Sequence, residues 1–237
     1  MADRAPSRRD LLKIAGSAAA AAASAGAASA ESGASVIEQR ARTRPRPARE
    51  PLKALTAHEA DLLDRIAELL IPSDEHGPGA TEAMAVRYLD RALAGALAAQ
   101  REAYTVGLAA LERYAKQTRS AAFLLLTESK QISLLIDVES GTATGANVGF
   151  AGSSAQFFAL VRGHIWQGTF GDPIYGGNEQ FVGWDLLGYP GVRTVVTPAE
   201  QRLLSPPTAV RKSAYDNPMF NKPVADVKPA GSDRDAD

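Results

Sequence analysis

From residue 56 to residue 170 the apolar side chains return every three or four positions, and no sustained strand-like alternation interrupts them. A period of 3.6 residues gathers such side chains on one face of a helix, so this chain has to bury helix faces against one another. Thr56-x-x-Glu59 reads as a capping box, in which each side chain satisfies the other residue's free backbone N–H. Leu62, Ile66, Leu69 and Leu70 then follow on a single face, and Pro72 stops the helix before a turn over SDEHGPGA, residues 73–80. A second helix is expected from near Thr81, with Val86, Leu89, Leu93 and Leu97 inward. A third runs from about Arg101 to Lys116, buried through Tyr104, Leu108 and Leu111. Thr127 is placed to cap a fourth, whose apolar set is Ile132, Leu135 and Ile136, and Gly141 ends it. Ser153-x-x-Gln156 is a second capping box, opening a fifth helix with the stripe Phe157, Leu160, Val161 and Ile165. The prediction is a small all-α domain of about five helices, without internal repeats.

The two ends of the chain have another character. Residues 1–30 join Arg8-Arg9, the apolar pair Leu11-Leu12 with Lys13, an alanine-rich run and a small-x-small site at Ala28-Ser29-Ala30. That combination resembles the twin-arginine export signal of bacteria, with cleavage after Ala30. Its alanine-rich centre is a poor membrane span, because crossing takes about 20 strongly apolar residues. The twin-arginine route carries folded cargo, so a protein sent that way either loads a cofactor in the cytoplasm or travels with a partner that does. Residues 31–53 form a basic, proline-rich linker: 38–53 alone hold six basic residues and three prolines. From Tyr189 onward come seven of the fourteen prolines, and residues 192–237 read as an extended tail ending in GSDRDAD. Without residues 1–30 the chain carries 22 basic against 25 acidic side chains, a balance that offers nucleic acid no purchase.

Where the fifth helix runs out, HIWQGTFGDPIYGGNEQFVGW (164–184) sets two tryptophans, two phenylalanines and a tyrosine among five glycines. Gly168 and Gly171-Asp172-Pro173 are expected to break the helix, and Asp172-Pro173 and Gly176-Gly177-Asn178 to make two successive turns. His164, Asp172 and Asn178 are the residues here with chemistry to offer. His164 falls on the apolar stripe seven residues after Phe157, where a packed histidine bonded to its surroundings is the plain expectation. The chain has no cysteine and three histidines, and neither AHEADLLD at 57–64 nor the cluster Asp74-Glu75-His76 has the spacing of a metal site. GDPIYGGN lacks the spacing of a phosphate cradle, and the chain contains no G-x-S-x-G elbow and no C-x-x-C-H. No catalytic, cofactor-binding or metal residue is therefore assigned. The rings remain, with two destinations: plugging the end of the bundle, or filling pockets on a partner. Trp166 and Trp184 are expected to anchor the loop while its glycine-rich tip meets that partner.

The run Gly168-Thr169-Phe170-Gly171-Asp172-Pro173-Ile174-Tyr175-Gly176-Gly177-Asn178, followed by Val182-Gly183-Trp184-Asp185-Leu186-Leu187-Gly188-Tyr189-Pro190-Gly191, closely resembles the signature of the gluconate 2-dehydrogenase subunit 3 family. IPSDEHGPGA at 71–80 resembles that family's N-terminal signature, so the likeness spans roughly residues 52–191 and the helical domain is bounded at 54–191. The length and proline content of the tail depart from the family. The resemblance implies a non-catalytic small subunit of a periplasmic, membrane-associated sugar or alcohol dehydrogenase complex. In such complexes an FAD-dependent large subunit of the glucose–methanol–choline type does the chemistry, and a multihaem cytochrome c commonly takes the electrons and attaches the assembly to the membrane. The small subunit supports maturation of the large one and carries its export signal, here Arg8 and Arg9. The partner-facing residues it suggests are His164, Trp166, Phe170, Asp172, Pro173, Tyr175, Gly176, Gly177, Asn178 and Trp184. Two other readings stand beside it: an independent periplasmic enzyme with His164 as base and Asp172 orienting it, and a small subunit that lends one side chain to the partner's flavin site.

Overall fold

The computed structural model describes residues 50–75, 77–198, 200–202 and 207–220. The export signal with Arg8, Arg9, Ala28 and Ala30, most of the basic linker, His76 and the last residues of the tail lie outside the described residues. Six α-helices and no strand are found among the described residues: α1 Ala57–Leu70, α2 Ala85–Leu93, α3 Arg101–Arg119, α4 Glu128–Glu139, α5 Ser154–Phe170 and α6 Val182–Leu187. The all-α expectation therefore holds. The additional helix is α6, six residues inside the stretch read from sequence as loop.

Both predicted capping boxes form. Glu59 N donates to Thr56 Oγ1 at 3.2 Å while Thr56 N donates to Glu59 Oε2 at 2.8 Å. Ser153 and Gln156 exchange the same pair of bonds at 3.2 and 3.1 Å. Each box meets donors that the first helical turn leaves unpaired. Glu59 does more, accepting from the Arg101 guanidinium at 2.6 and 3.0 Å, which ties the start of α1 to the start of α3. Burial pushes its carboxyl up, but Arg101 and Thr56 outweigh that and hold it below the usual glutamate range.

α5 is the centre of the bundle and touches each of the other five helices. Its sequence fits that position, with Phe157, Phe158, Val161 and Ile165 all buried. Around it pack Leu62, Leu63 and Ile66 of α1, Leu89 of α2, Tyr104, Leu108 and Leu111 of α3 and Leu134 of α4. The N-terminal segment is fastened to this core by Asp90. Its buried carboxylate accepts from the backbone N–H groups of Lys53, Ala54 and Leu55 at 2.8, 2.9 and 2.9 Å.

Four expectations are corrected. α2 begins at Ala85, four residues after Thr81, because Met84 adopts a left-handed conformation (φ 57°, ψ 38°) that ends a preceding turn; Leu97 falls beyond the helix, half-buried. Thr127 stands at the N-cap of α4 but makes no side-chain cap bond. α4 also turns a different face inward: Ile132 and Ile136 are 42% and 49% exposed, whereas Gln131, Leu134, Leu135 and Val138 are buried. Gln131 accounts for the rotation, since its amide donates to Phe123 O at 2.9 Å and accepts from Arg65 Nε at 2.7 Å. Finally, Gly168 does not break α5, which runs on to Phe170 and stops at Gly171. At Gly168 another chain segment comes close: a Cβ there would lie 2.7 Å from Ala85 O of α2.

Candidate functional site

The loop after α5 is a tightly sewn structure. Asp172 is extended, and its Oδ1 accepts from Ile174 N at 3.0 Å, capping a 3₁₀ turn over Pro173–Tyr175 that opens on the proline. The chain then doubles back on the end of α5. Gly177 packs so closely on Gly168 that a Cβ would come within 2.8 Å of the Gly168 carbonyl carbon, and Asn178 N donates to Gly168 O at 2.7 Å. The side chain of Asn178 is wholly buried. Its Nδ2 donates to Gly171 O and its Oδ1 accepts from Gly183 N, both at 2.8 Å, so one carboxamide bridges the start of the loop and the first turn of α6. Asn178, Gln180 and Phe181 all have left-handed backbone, with φ of 45°, 52° and 64°. For residues other than glycine this costs about 1–2 kcal/mol apiece and persists only where neighbours enforce it.

Those neighbours are identifiable. Trp184 is buried and donates from Nε1 to Phe170 O at 2.9 Å, with Phe181 and Tyr189 against its ring at centroid distances of 5.3 and 4.9 Å. Arg87 of α2 donates from Nε to Gly176 O at 2.6 Å and pairs with Glu179; the same guanidinium reaches Glu50 at 3.4 Å. It thereby joins the N-terminal segment to the loop. From the other side Asp172 accepts from Ser213 Oγ at 2.6 Å and Ala214 N at 2.7 Å, both in the tail.

Histidine 164 is inside the bundle. Its Nδ1 lies 2.7 Å from Tyr104 Oη, and the two rings stack with centroids 6.0 Å apart. Burial lowers the His164 pKa and raises that of Tyr104, which favours the neutral form of both partners in this bond. His164 and Asp172 are thus committed to different partners, not to each other. Among the described residues, a hollow of about 240 Å³ beside Leu52, Met84, Val86 and Arg91 and one of about 250 Å³ around Gly141–Ser154 are lined by neither His164 nor Asp172.

The residues chosen from sequence therefore divide. His164 is buried inside the bundle, and Gly176, Gly177, Asn178 and Trp184 are buried where they build the loop. Phe170, Asp172 and Pro173 are half-buried, and Trp166 and Tyr175 are about half exposed, at 49% and 53%. Of the two tryptophans expected to anchor the loop only Trp184 does so. Trp166 lies on the outer face of α5 beneath the Arg162 guanidinium, 5.7 Å from its ring centroid. Sequence reasoning missed Arg87 and the tail residues Arg211, Ser213 and Tyr215, whose contacts span tens of residues and leave no local trace. The Tyr104–His164 pair did leave one, as two polar-tipped rings on facing apolar stripes, each in need of a bond.

What the fold and this loop define is an all-helical domain whose last long helix ends in a glycine- and aromatic-rich knot closed by its own side chains. The model of the family described as gluconate 2-dehydrogenase subunit 3 matches residues 57–191, the helical domain with the whole knot. The chain belongs to that family, and so to a class of proteins described as one subunit of a dehydrogenase. No curated protein and no solved structure matches it.

Proposed function

We propose that this chain is the non-catalytic small subunit of a periplasmic FAD-dependent sugar or alcohol dehydrogenase complex. It binds the flavoprotein in the cytoplasm, supports its maturation and, through Arg8 and Arg9, takes it across the membrane by the twin-arginine route. The observation that carries this reading is the family match across residues 57–191, which takes in a loop whose polar groups are spent on internal bonds. An acid–base centre needs its groups in reach of a substrate, and here His164 is spent on Tyr104 and Asp172 on Ile174 and the tail. The rival reading, an enzyme built on His164 and Asp172, finds nothing in this geometry to favour it.

Outward from the same loop stand side chains suited to a permanent interface. Trp166, Ile174 and Tyr175 are exposed beside the half-buried Phe170, Asp172 and Pro173. Aromatic side chains dominate binding hot spots because they bring large area at low entropic cost. An association that survives export calls for a large contact, on the order of 2,000 Å² or more. FAD belongs to the partner of the glucose–methanol–choline type, and a multihaem cytochrome c is the further member through which the assembly meets the membrane.

The test is to follow the flavoprotein, not this chain. With Arg8 and Arg9 both changed to lysine, the flavoprotein is expected to remain in the cytoplasm, and its normal delivery to the periplasm would overturn the escort role. Affinity capture of the mature chain is expected to bring down a yellow protein of much larger mass. Substrate turnover by the isolated chain would overturn the assignment as a non-catalytic subunit.

A further inference from the structure

Residues of the tail beyond the family match fold back onto the knot. Val210 N donates to Pro190 O at 2.9 Å, while within the tail Arg193 Nη2 donates to Thr208 O at 2.7 Å. Arg211 pairs with Asp185 of α6 at 2.6 Å. Ser213 Oγ and Ala214 N grip the two oxygens of Asp172. The Tyr215 hydroxyl meets that of Tyr175 at 2.7 Å, their rings edge to face with centroids 6.1 Å apart. Within the tail, Ser213 and Asp216 close a capping box of their own around a 3₁₀ turn over Ala214–Asp216, which sets Ser213 Oγ and Ala214 N in place before Asp172 is reached.

The character of these contacts matters as much as their number. Tyr215, Met219 and Phe220 remain 41%, 57% and 49% exposed, so the segment adds little to the hydrophobic core. It is held by polar bonds to the one part of the fold that most needs holding, the loop with three left-handed residues other than glycine. Asp172 is where the two meet: one carboxylate caps the first turn of the loop through Ile174 N and receives the tail. Elements attached in this way open locally, ahead of global unfolding.

The geometry points to residues 207–217 acting as an intramolecular strap that keeps loop 172–191 in the shape it presents to other molecules, so that order in the loop depends on the tail. The inference concerns this chain alone and holds whichever protein it serves. Its test is amide hydrogen exchange on the isolated mature chain, read by mass spectrometry, with the triple variant Arg211→Ala, Ser213→Ala, Tyr215→Phe. These substitutions touch only exposed or half-buried tail positions. Exchange over residues 173–190 is expected to quicken roughly tenfold or more, while α3 and the first three turns of α5 keep their parent rates. Unchanged exchange in the loop would overturn the strap. An equal acceleration in α3 and α5 would overturn it too, since the tail would then be a general stabiliser. A cycle of Asp172→Ala and Ser213→Ala gives an independent reading: the two effects on loop exchange are expected to be strongly non-additive, and simple additivity is the contrary result.

Discussion

Replacing Asn178 with alanine removes a carboxamide with no solvent exposure, and the structure gives the magnitude. Two bonds of 2.8 Å disappear, leaving Gly183 N–H and Gly171 C=O without their partner in a site closed to water on the Gly183 side. Each orphaned buried group costs about 1–3 kcal/mol. Alanine also tolerates the left-handed backbone, φ 45° and ψ 45°, less well than asparagine, which adds about 1 kcal/mol. The sum is about 3–7 kcal/mol, a large share of the 5–15 kcal/mol typical of a whole domain. At the roughly 2–4 °C per kcal/mol expected for a chain of this length, it corresponds to a fall in Tm of about 6–28 °C. Urea unfolding followed by far-UV circular dichroism and by the Trp184 environment measures it. Asn178→Gly separates the terms: it orphans the same groups but relieves the backbone, and is expected to be milder than alanine. An alanine variant melting within about 2 °C of the parent would refute the reasoning, because the carboxamide would then brace nothing.

Asp90→Ala takes the acceptor from three backbone N–H groups and is expected to cost about 3 kcal/mol or more, with lost exchange protection at Lys53, Ala54 and Leu55 as the local signature. On α4, Leu134→Ala is expected to cost about 2–5 kcal/mol and Ile136→Ala well under half of that, by thermal melts of the two variants; the reverse order would restore the face expected from sequence. Protonation of His164 is disfavoured in the folded state, so below the ordinary value of 6.5 the unfolded chain takes up a proton that the folded one refuses. Stability is therefore full above pH 6.5 and declines as the pH falls from there towards the lower folded pKa, by at most about 1.4 kcal/mol per unit. His164→Gln is expected to flatten that limb of a pH series of urea melts. The carboxyl of Glu59, held low, has the same sign but acts further down, its contribution being lost below the ordinary 4.5.

The helices were legible because their signals are local. Both capping boxes name their own first residues, and α3 follows from Tyr104, Leu108 and Leu111 at helical spacing. α4 shows where such signals run out. With apolar residues at 132, 134, 135, 136 and 138, periodicity supports two faces, and a polar residue, Gln131, decides between them through bonds to Phe123 and Arg65. The loop was recognisable by composition and its outer turns by Asp172-Pro173 and Gly176-Gly177. Its closure was not, for glycine at 168 reads as a helix breaker until the backbone of α2 is seen against it. Nor do Asp185 and Arg211, 26 positions apart, announce each other. A proline-rich segment reads as unattached whenever its attachments lie at such range.

The bond from Ser213 to Asp172 spans 41 positions of sequence, and its donor lies beyond the last α-helix of the bundle. Synthesis proceeds from the N-terminus at about 5–20 residues per second, so every helix of the bundle is translated before Ser213 is. A nascent polypeptide stalled anywhere between residues 192 and 206 already contains every α-helix of the bundle, yet lacks the tail's bonds to Asp172, Tyr175 and Asp185. On the strap proposal, a product truncated before residue 207 therefore presents a less ordered loop than one that includes residues 207–217.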